Sequence, residues 1–200
     1  MESKVRAGIW VLCLLPLGML VFAVFTNGLG PDPAEKIMHV TGEWSLRLLL
    51  LTLLISPLRQ WTRWAPIIRW RRVLGLCTFL YACIHLLCFG HFFLGWTFSI
   101  LVEELLERPY IAAGFAAWLL MLPLAITSTR AMQRRLRKNW TKLHRAVYGA
   151  LAIACIQVVW QTRSDYGEAL IYAVLGAALL GWRLRRYLLR KHATGSVSSA

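Results

Sequence analysis

Acidic residues are scarce in this chain. Only nine of its 200 residues are Asp or Glu, against 23 Lys and Arg. None of the nine lies in the middle of an apolar run. A proton pathway through a membrane wants carboxylates at depth, and only Glu43, near the end of a run, is available. The five cysteines, Cys13, Cys77, Cys83, Cys88 and Cys155, all fall inside apolar runs and form no CxxC. Neither a thiolate zinc site nor covalent haem attachment through CxxCH is therefore indicated, and small apolar packing is their plain role. No GxGxxG follows a strand, and there is no P-loop. Connections are short too. The longest runs from about Ser128 to Leu143 and leaves no room for a soluble catalytic domain.

What is abundant is apolar. The chain is 58% hydrophobic, carries 10 Trp and has a formal net charge of +14. Such an excess of base can signal nucleic acid. Here the charges fall in short clusters between apolar runs, the pattern of an integral membrane protein, so no nucleic-acid partner is expected. Six runs approach the length that crosses a bilayer core of about 30 Å: residues 8–25, 43–57, 73–96, 110–127, 144–160 and 169–182. The second and sixth are short and are expected to borrow flanking residues. The composition predicts an all-α membrane protein, a bundle of six transmembrane helices forming one domain over residues 1–192. A flexible tail is expected over 193–200. The first run has a basic start in Lys4 and Arg6, but no small-x-small pattern follows before Pro31, so it reads as a retained anchor.

Orientation follows from the bases. Nineteen of the 23 Lys and Arg fall in one alternating set of connections, which includes Arg59 to Arg72, Arg130 to Arg145 and Arg183 to Lys191. The opposite set holds Lys36, Arg108 and Arg163. Of the acids, only Glu2 falls on the basic side. The positive-inside rule then puts both termini in the cytoplasm. The basic loops suit topology and anionic lipid, and could also dock a soluble donor. The stretch from Trp96 to Arg108 is amphipathic enough to lie as a short helix along the opposite membrane surface.

The histidines carry the chemistry. His192 sits in the basic tail, where it is expected to be solvated. His39, His85, His91 and His144 lie in or near apolar runs. An imidazole at membrane depth without a partner costs several kcal/mol, so each has either a hydrogen-bonding role across helices or a ligand role. Neutral imidazole is also the usual nitrogen ligand of haem iron. Histidines on two different helices, with no carboxylate in mid-membrane, favour haem. His85 and His91 are six residues apart, hence roughly 120° apart around a helix, and cannot both face one haem squarely. His85, the deeper of the two, is the better candidate.

A set of motifs points further. NGLGPDPAEKIMHVTG (27–42), LLISPLR (53–59), RRVLGL (71–76), IHLL (84–87), RPY (108–110), TSTRAMQRRL (127–136) and the spacing W-x-x-LHRAVY (140–148) occur in order across nearly the whole chain. In this the sequence resembles the MsrQ (YedZ) family, within the ferric reductase-like transmembrane superfamily. The resemblance implies a haem b electron-transfer subunit of the bacterial inner membrane. It would pass electrons from the quinone pool or a cytoplasmic flavin reductase to MsrP, a periplasmic molybdoprotein that reduces methionine sulfoxide. It also implies an associated FMN. By motif, His85 and His144 match the family's haem histidines, and they are the expected metal ligands. His91 and His39 are further cofactor-binding candidates. His39 is readable as a ligand, a haem propionate contact or a cap-region residue.

One position departs from the family pattern. Many relatives carry another histidine thirteen residues after the one matching His144; here Gln157 stands there. Amide side chains are poor iron ligands. The departure leaves a geometric tension, because His85 and His144 are expected to differ in depth by about 15 Å on perpendicular helices. Arg47, the lone base within the second run, is readable as a propionate partner, a snorkelling side chain or a partner of Glu43. Two other functions stay open at this point: a stand-alone transmembrane ferric or oxygen reductase, and a small proton-coupled transporter.

Overall fold

A computed structural model describes the backbone of residues 2–162 and 166–195, and the side chains of 4–162 and 166–189. Arg163, Asp165, the His192 side chain and the end of the expected tail lie outside the described residues.

No strand occurs among the described residues. The chain forms α1 (Glu2–Phe25), α2 (Pro33–Thr62), a 3-10 turn (Ala65–Arg69), α3 (Trp70–Phe92), α4 (Phe98–Glu107), α5 (Pro109–Ile126), α6 (Arg130–Leu136), α7 (Lys138–Leu143), α8 (Ala146–Gln161) and α9 (Gly167–Gly195). Among the described residues, six helical segments are long and apolar enough to span a membrane: α1, α2, the turn with α3, α5, α7 with α8, and α9. Short α4 lies between spans, as its amphipathic sequence predicts, and buries no residue. At its end Arg108 meets Glu104 at 3.2 Å. A hydrogen bond with Tyr110, and then the Glu104 charge, push the Arg108 pKa above the ordinary arginine value.

Two helices outrun their apolar cores. The hydropathy of α2 suggests a start near Glu43, but the helix begins at Pro33. Asp32 caps it by accepting the Glu35 N–H at 3.0 Å, with proline in the first turn, a combination that starts a helix whatever the hydropathy. Likewise α9 continues beyond residue 182 through a Leu- and Arg-rich stretch of good helix formers. By contrast α3 stops early, at Phe92, where Gly95 and Trp96 take positive φ.

The spans are apolar nearly all round. Val11, Leu12, Met19 and Phe22 of α1, and Leu170, Ile171 and Val174 of α9, stay exposed, which water would punish and lipid tolerates. Buried threonines hydrogen-bond back along their own helices: Thr52 to the Leu48 carbonyl at 2.7 Å and Thr78 to that of Leu74 at 2.9 Å. A hydroxyl in hydrocarbon needs such a partner.

Three apolar clusters join the helices. Leu46, Leu49, Leu50 and Leu53 of α2 meet Val147, Leu151 and Cys155 of α8. Cys13 of α1, Leu48 of α2 and Val73, Cys77 and Tyr81 of α3 form the second. Ala82 of α3, Met121 of α5 and Ala150 of α8 form the third. All five cysteines are free thiols; three are buried in these packings or between them and two are partly buried. Tyr81 is fully buried, and its hydroxyl donates to the Cys13 carbonyl at 2.9 Å, tying α3 to α1.

The bundle has two chemically distinct ends. Among the described side chains, the carboxylates all gather at one end: Asp32, Glu35 and Glu43 in the first part of α2, the three glutamates of α4, and Glu168 at the start of α9. Arg59, Arg71, Lys142 and Arg183 mark the other. These are the acidic end and the basic end below.

Candidate functional site

His85 lies on α3, in the half nearer the acidic end, facing the start of α2. Its Nδ1 atom is 3.0 Å from the Met38 carbonyl oxygen and 3.3 Å from the Thr41 hydroxyl. The Thr41 hydroxyl sits 2.8 Å from the Ile37 carbonyl, to which it donates. A carbonyl only accepts, so in the neutral ring Nδ1 carries the proton and the Nε2 lone pair is left bare. A ligating imidazole is held in this way, its tautomer and orientation set by the second nitrogen.

A close approach makes this possible. A methyl group built on Gly42 would sit 3.0 Å from Cε1 and 3.2 Å from Nδ1 of His85. Glycine at that position lets the ring lie against the α2 backbone. Neither Gly42 nor the Met38 carbonyl is visible as functional in the sequence. Their one signal is a glycine within a helix near the polar MHVTG stretch.

His144 follows α7 as its C-cap, with Arg145 between it and α8. Its Nδ1 is 3.1 Å from the Trp140 carbonyl, and its ring stacks on the Trp140 ring with centroids 3.9 Å apart. The ring also lies within hydrogen-bonding reach of the Leu124 backbone, so His144, unlike His85, meets two backbone groups. Arg71, at the start of α3, lies within electrostatic reach.

The two rings stand at different depths. Ala82 and Ala150 share one cluster and so mark a common level. His85 is three residues beyond Ala82 toward the acidic end, and His144 six residues from Ala150 toward the basic end. At about 1.5 Å per residue the offset is roughly 14 Å. Gln157 lies on the acidic side of the same level, its amide packed against α5 so closely that a methyl group on Gly114 would meet its Nε2 at 2.5 Å.

The other candidates sit at the rim. His91, in the last turn of α3, is exposed and touches the Phe92 ring edge-on. His39 is exposed, six residues inside α2 rather than at its cap, with Nε2 3.5 Å from Glu43. Arg47 pairs with Glu43 at 3.0 Å and donates to the Tyr172 hydroxyl at 2.7 Å. Of the readings open for Arg47, the structure shows the carboxylate pair.

The donor set suits haem iron: two imidazoles anchored through Nδ1 to backbone carbonyls, His85 with Nε2 bare, on segments of one apolar bundle. Comparison with known proteins bears on this directly. Residues 41–155 match the family model described as the ferric reductase-like transmembrane component, a span that includes His85, His91 and His144. The chain is 46% identical over 186 residues to the protein-methionine-sulfoxide reductase heme-binding subunit MsrQ of Xanthomonas axonopodis pv. citri, covering 92% of this chain and 85% of that protein. The chain belongs to the MsrQ family. The MsrQ protein of Xanthomonas oryzae pv. oryzae (strain MAFF 311018) is 47% identical over 84% of this chain and 78% of its own. That of Yersinia pseudotuberculosis is 40% identical over 92% of both. No solved structure matches. The MsrQ relatives are named as heme-binding subunits of a reductase, which agrees with a bundle that offers the bare imidazole of His85.

Proposed function

We propose that this protein is the haem b electron-transfer subunit of a methionine sulfoxide reductase system. The observation that carries the reading is His85, whose Nδ1 is tied to the Met38 carbonyl while Nε2 is left bare inside an apolar bundle. His85 and His144 are the proposed iron ligands. His91 and His39, at the rim, are the available substitutes.

A haem b held by two imidazoles supplies a one-electron couple without an open iron position, which suits electron transfer rather than oxygen chemistry. The chain's own residues orient the rings, exclude water and carry no mid-depth carboxylate. The basic end is the proposed cytoplasmic side, with both termini there, in the bacterial inner membrane. Electrons would enter from the quinone pool or from a cytoplasmic flavin reductase, with FMN as an associated group. They would leave at the acidic end to an MsrP-type periplasmic molybdoprotein. Reduction of one methionine sulfoxide takes two electrons and two protons and releases one water. The single domain over residues 1–192 serves as conduit, and the catalytic site belongs to the partner.

The test is an oxidised and dithionite-reduced optical spectrum of the detergent-purified protein, with a pyridine haemochrome count. A low-spin b-type spectrum that disappears in His85→Ala supports the reading. One haem per chain means that only one of the two levels is occupied, or that the helices shift to close the offset; two mean that each histidine serves its own level. A colourless preparation from a haem-replete host overturns the reading and favours the transporter. Robust ferric or oxygen reduction without any partner favours the stand-alone reductase.

A further inference from the structure

Arg183, on α9 at the basic end, is a half-buried cation that meets no counter-charge among the described side chains. Its Nε and Nη2 atoms are shielded from solvent and meet no hydrogen-bond acceptor. The guanidinium lies over the Tyr148 ring at 5.2 Å and the Trp182 ring at 5.5 Å. Those faces offset part of the charge, but they leave the N–H fork unused.

The surroundings deepen the problem. Arg71 and Arg186 both repel Arg183, and Arg71 also acts on His144. Tyr148, under the guanidinium, is one helical turn from His144. Three guanidiniums and an imidazole therefore share one neighbourhood. Among the described side chains every carboxylate is at the other end. Arg47 shows the contrast: it has Glu43 and Tyr172.

A shielded guanidinium edge with no acceptor calls for an oxyanion, and Arg suits a carboxylate because its Nε and Nη2 can bind both oxygens. The one reading already placed beside His144 is haem, which brings two carboxylates of its own. Placing those in an apolar bundle without cations would be costly. We propose that Arg183, with Arg71, seats the propionate carboxylates of a haem ligated by His144. The proposal rests on the haem reading above. It makes Arg183 a positioning residue, acting on haem seating and potential rather than on the iron directly.

The test compares haem with haem dimethyl ester, whose propionates are neutral. Apoprotein is titrated with each, and affinity is read from the absorbance of the bound form. Wild type is expected to prefer haem by about tenfold or more, the worth of a charge-assisted hydrogen bond. Arg183→Gln should lose that preference and lower the reduction midpoint potential, and Arg183→Lys should restore part of both. Equal affinity of wild type for the two forms overturns the proposal without any variant and leaves the haem reading intact. So does Arg183→Gln with its preference unchanged. If that variant instead loses co-purifying anionic phospholipid, the fork belongs to a lipid phosphate and the proposal fails. A wild type that binds neither form overturns the haem reading and this inference together.

Discussion

The Nδ1 atom of His85 stands 3.0 Å from the carbonyl oxygen of Met38, a backbone group of the neighbouring helix. One contact thus sets ring orientation and tautomer together. Because a backbone carbonyl holds it, no side-chain substitution at position 38 should abolish the arrangement. Met38→Leu is expected to leave the haem spectrum unchanged, and His85→Ala to remove it. Equal haem loss in both would show that the Met38 side chain, not its backbone, matters.

Gly42 sets the room available to that ring. The methyl group of Gly42→Ala would press on Cε1 and Nδ1 at 3.0 and 3.2 Å, and the ring would have to move by a few tenths of an ångström. Disturbing the anchoring of a metal ligand typically costs about 10–100-fold in affinity. Haem affinity should fall by about that factor while circular dichroism keeps its helical signal. Unchanged affinity would mean that the ring has slack.

Gln157 offers a gain-of-function test. It lies on α8 toward the acidic end, its amide packed flat on Gly114. Gln157→His introduces an imidazole within about 6 Å in depth of His85. Haem per polypeptide is expected to rise by the pyridine haemochrome assay. A count identical to wild type would show that the glutamine level never lacked a ligand.

Tyr81 joins α3 to α1 through its hydroxyl bond to the Cys13 carbonyl. Tyr81→Phe keeps the ring and removes the bond, at a cost of about 1 kcal/mol. Thermal unfolding in detergent should shift down by about 2–4 °C, with the haem spectrum unaffected. A larger loss, or a changed spectrum, would mean that α1 supports the cofactor site.

The amino-acid sequence by itself determined the six spans and the separation of basic and acidic ends; it also singled out His85 over His91 as a candidate, while His144 came from the family resemblance. Each depends on local properties: a bilayer demands about 20 apolar residues per helix, charges stay out of its core, and an imidazole within an apolar run stands out alone. Only the tertiary structure decided which carbonyl holds His85, that Gly42 faces its ring, that Arg47 takes Glu43, and that Arg183 meets no acid among the described side chains. These are matters of helix rotation and crossing. Helices apolar nearly all round carry no stripe to say which face turns inward, so the facing residues follow from packing between segments far apart in the chain. The early start of α2 sits between the two cases. Asp32 and Pro33 signal it locally, but hydropathy, which follows lipid and not the helix, points ten residues later.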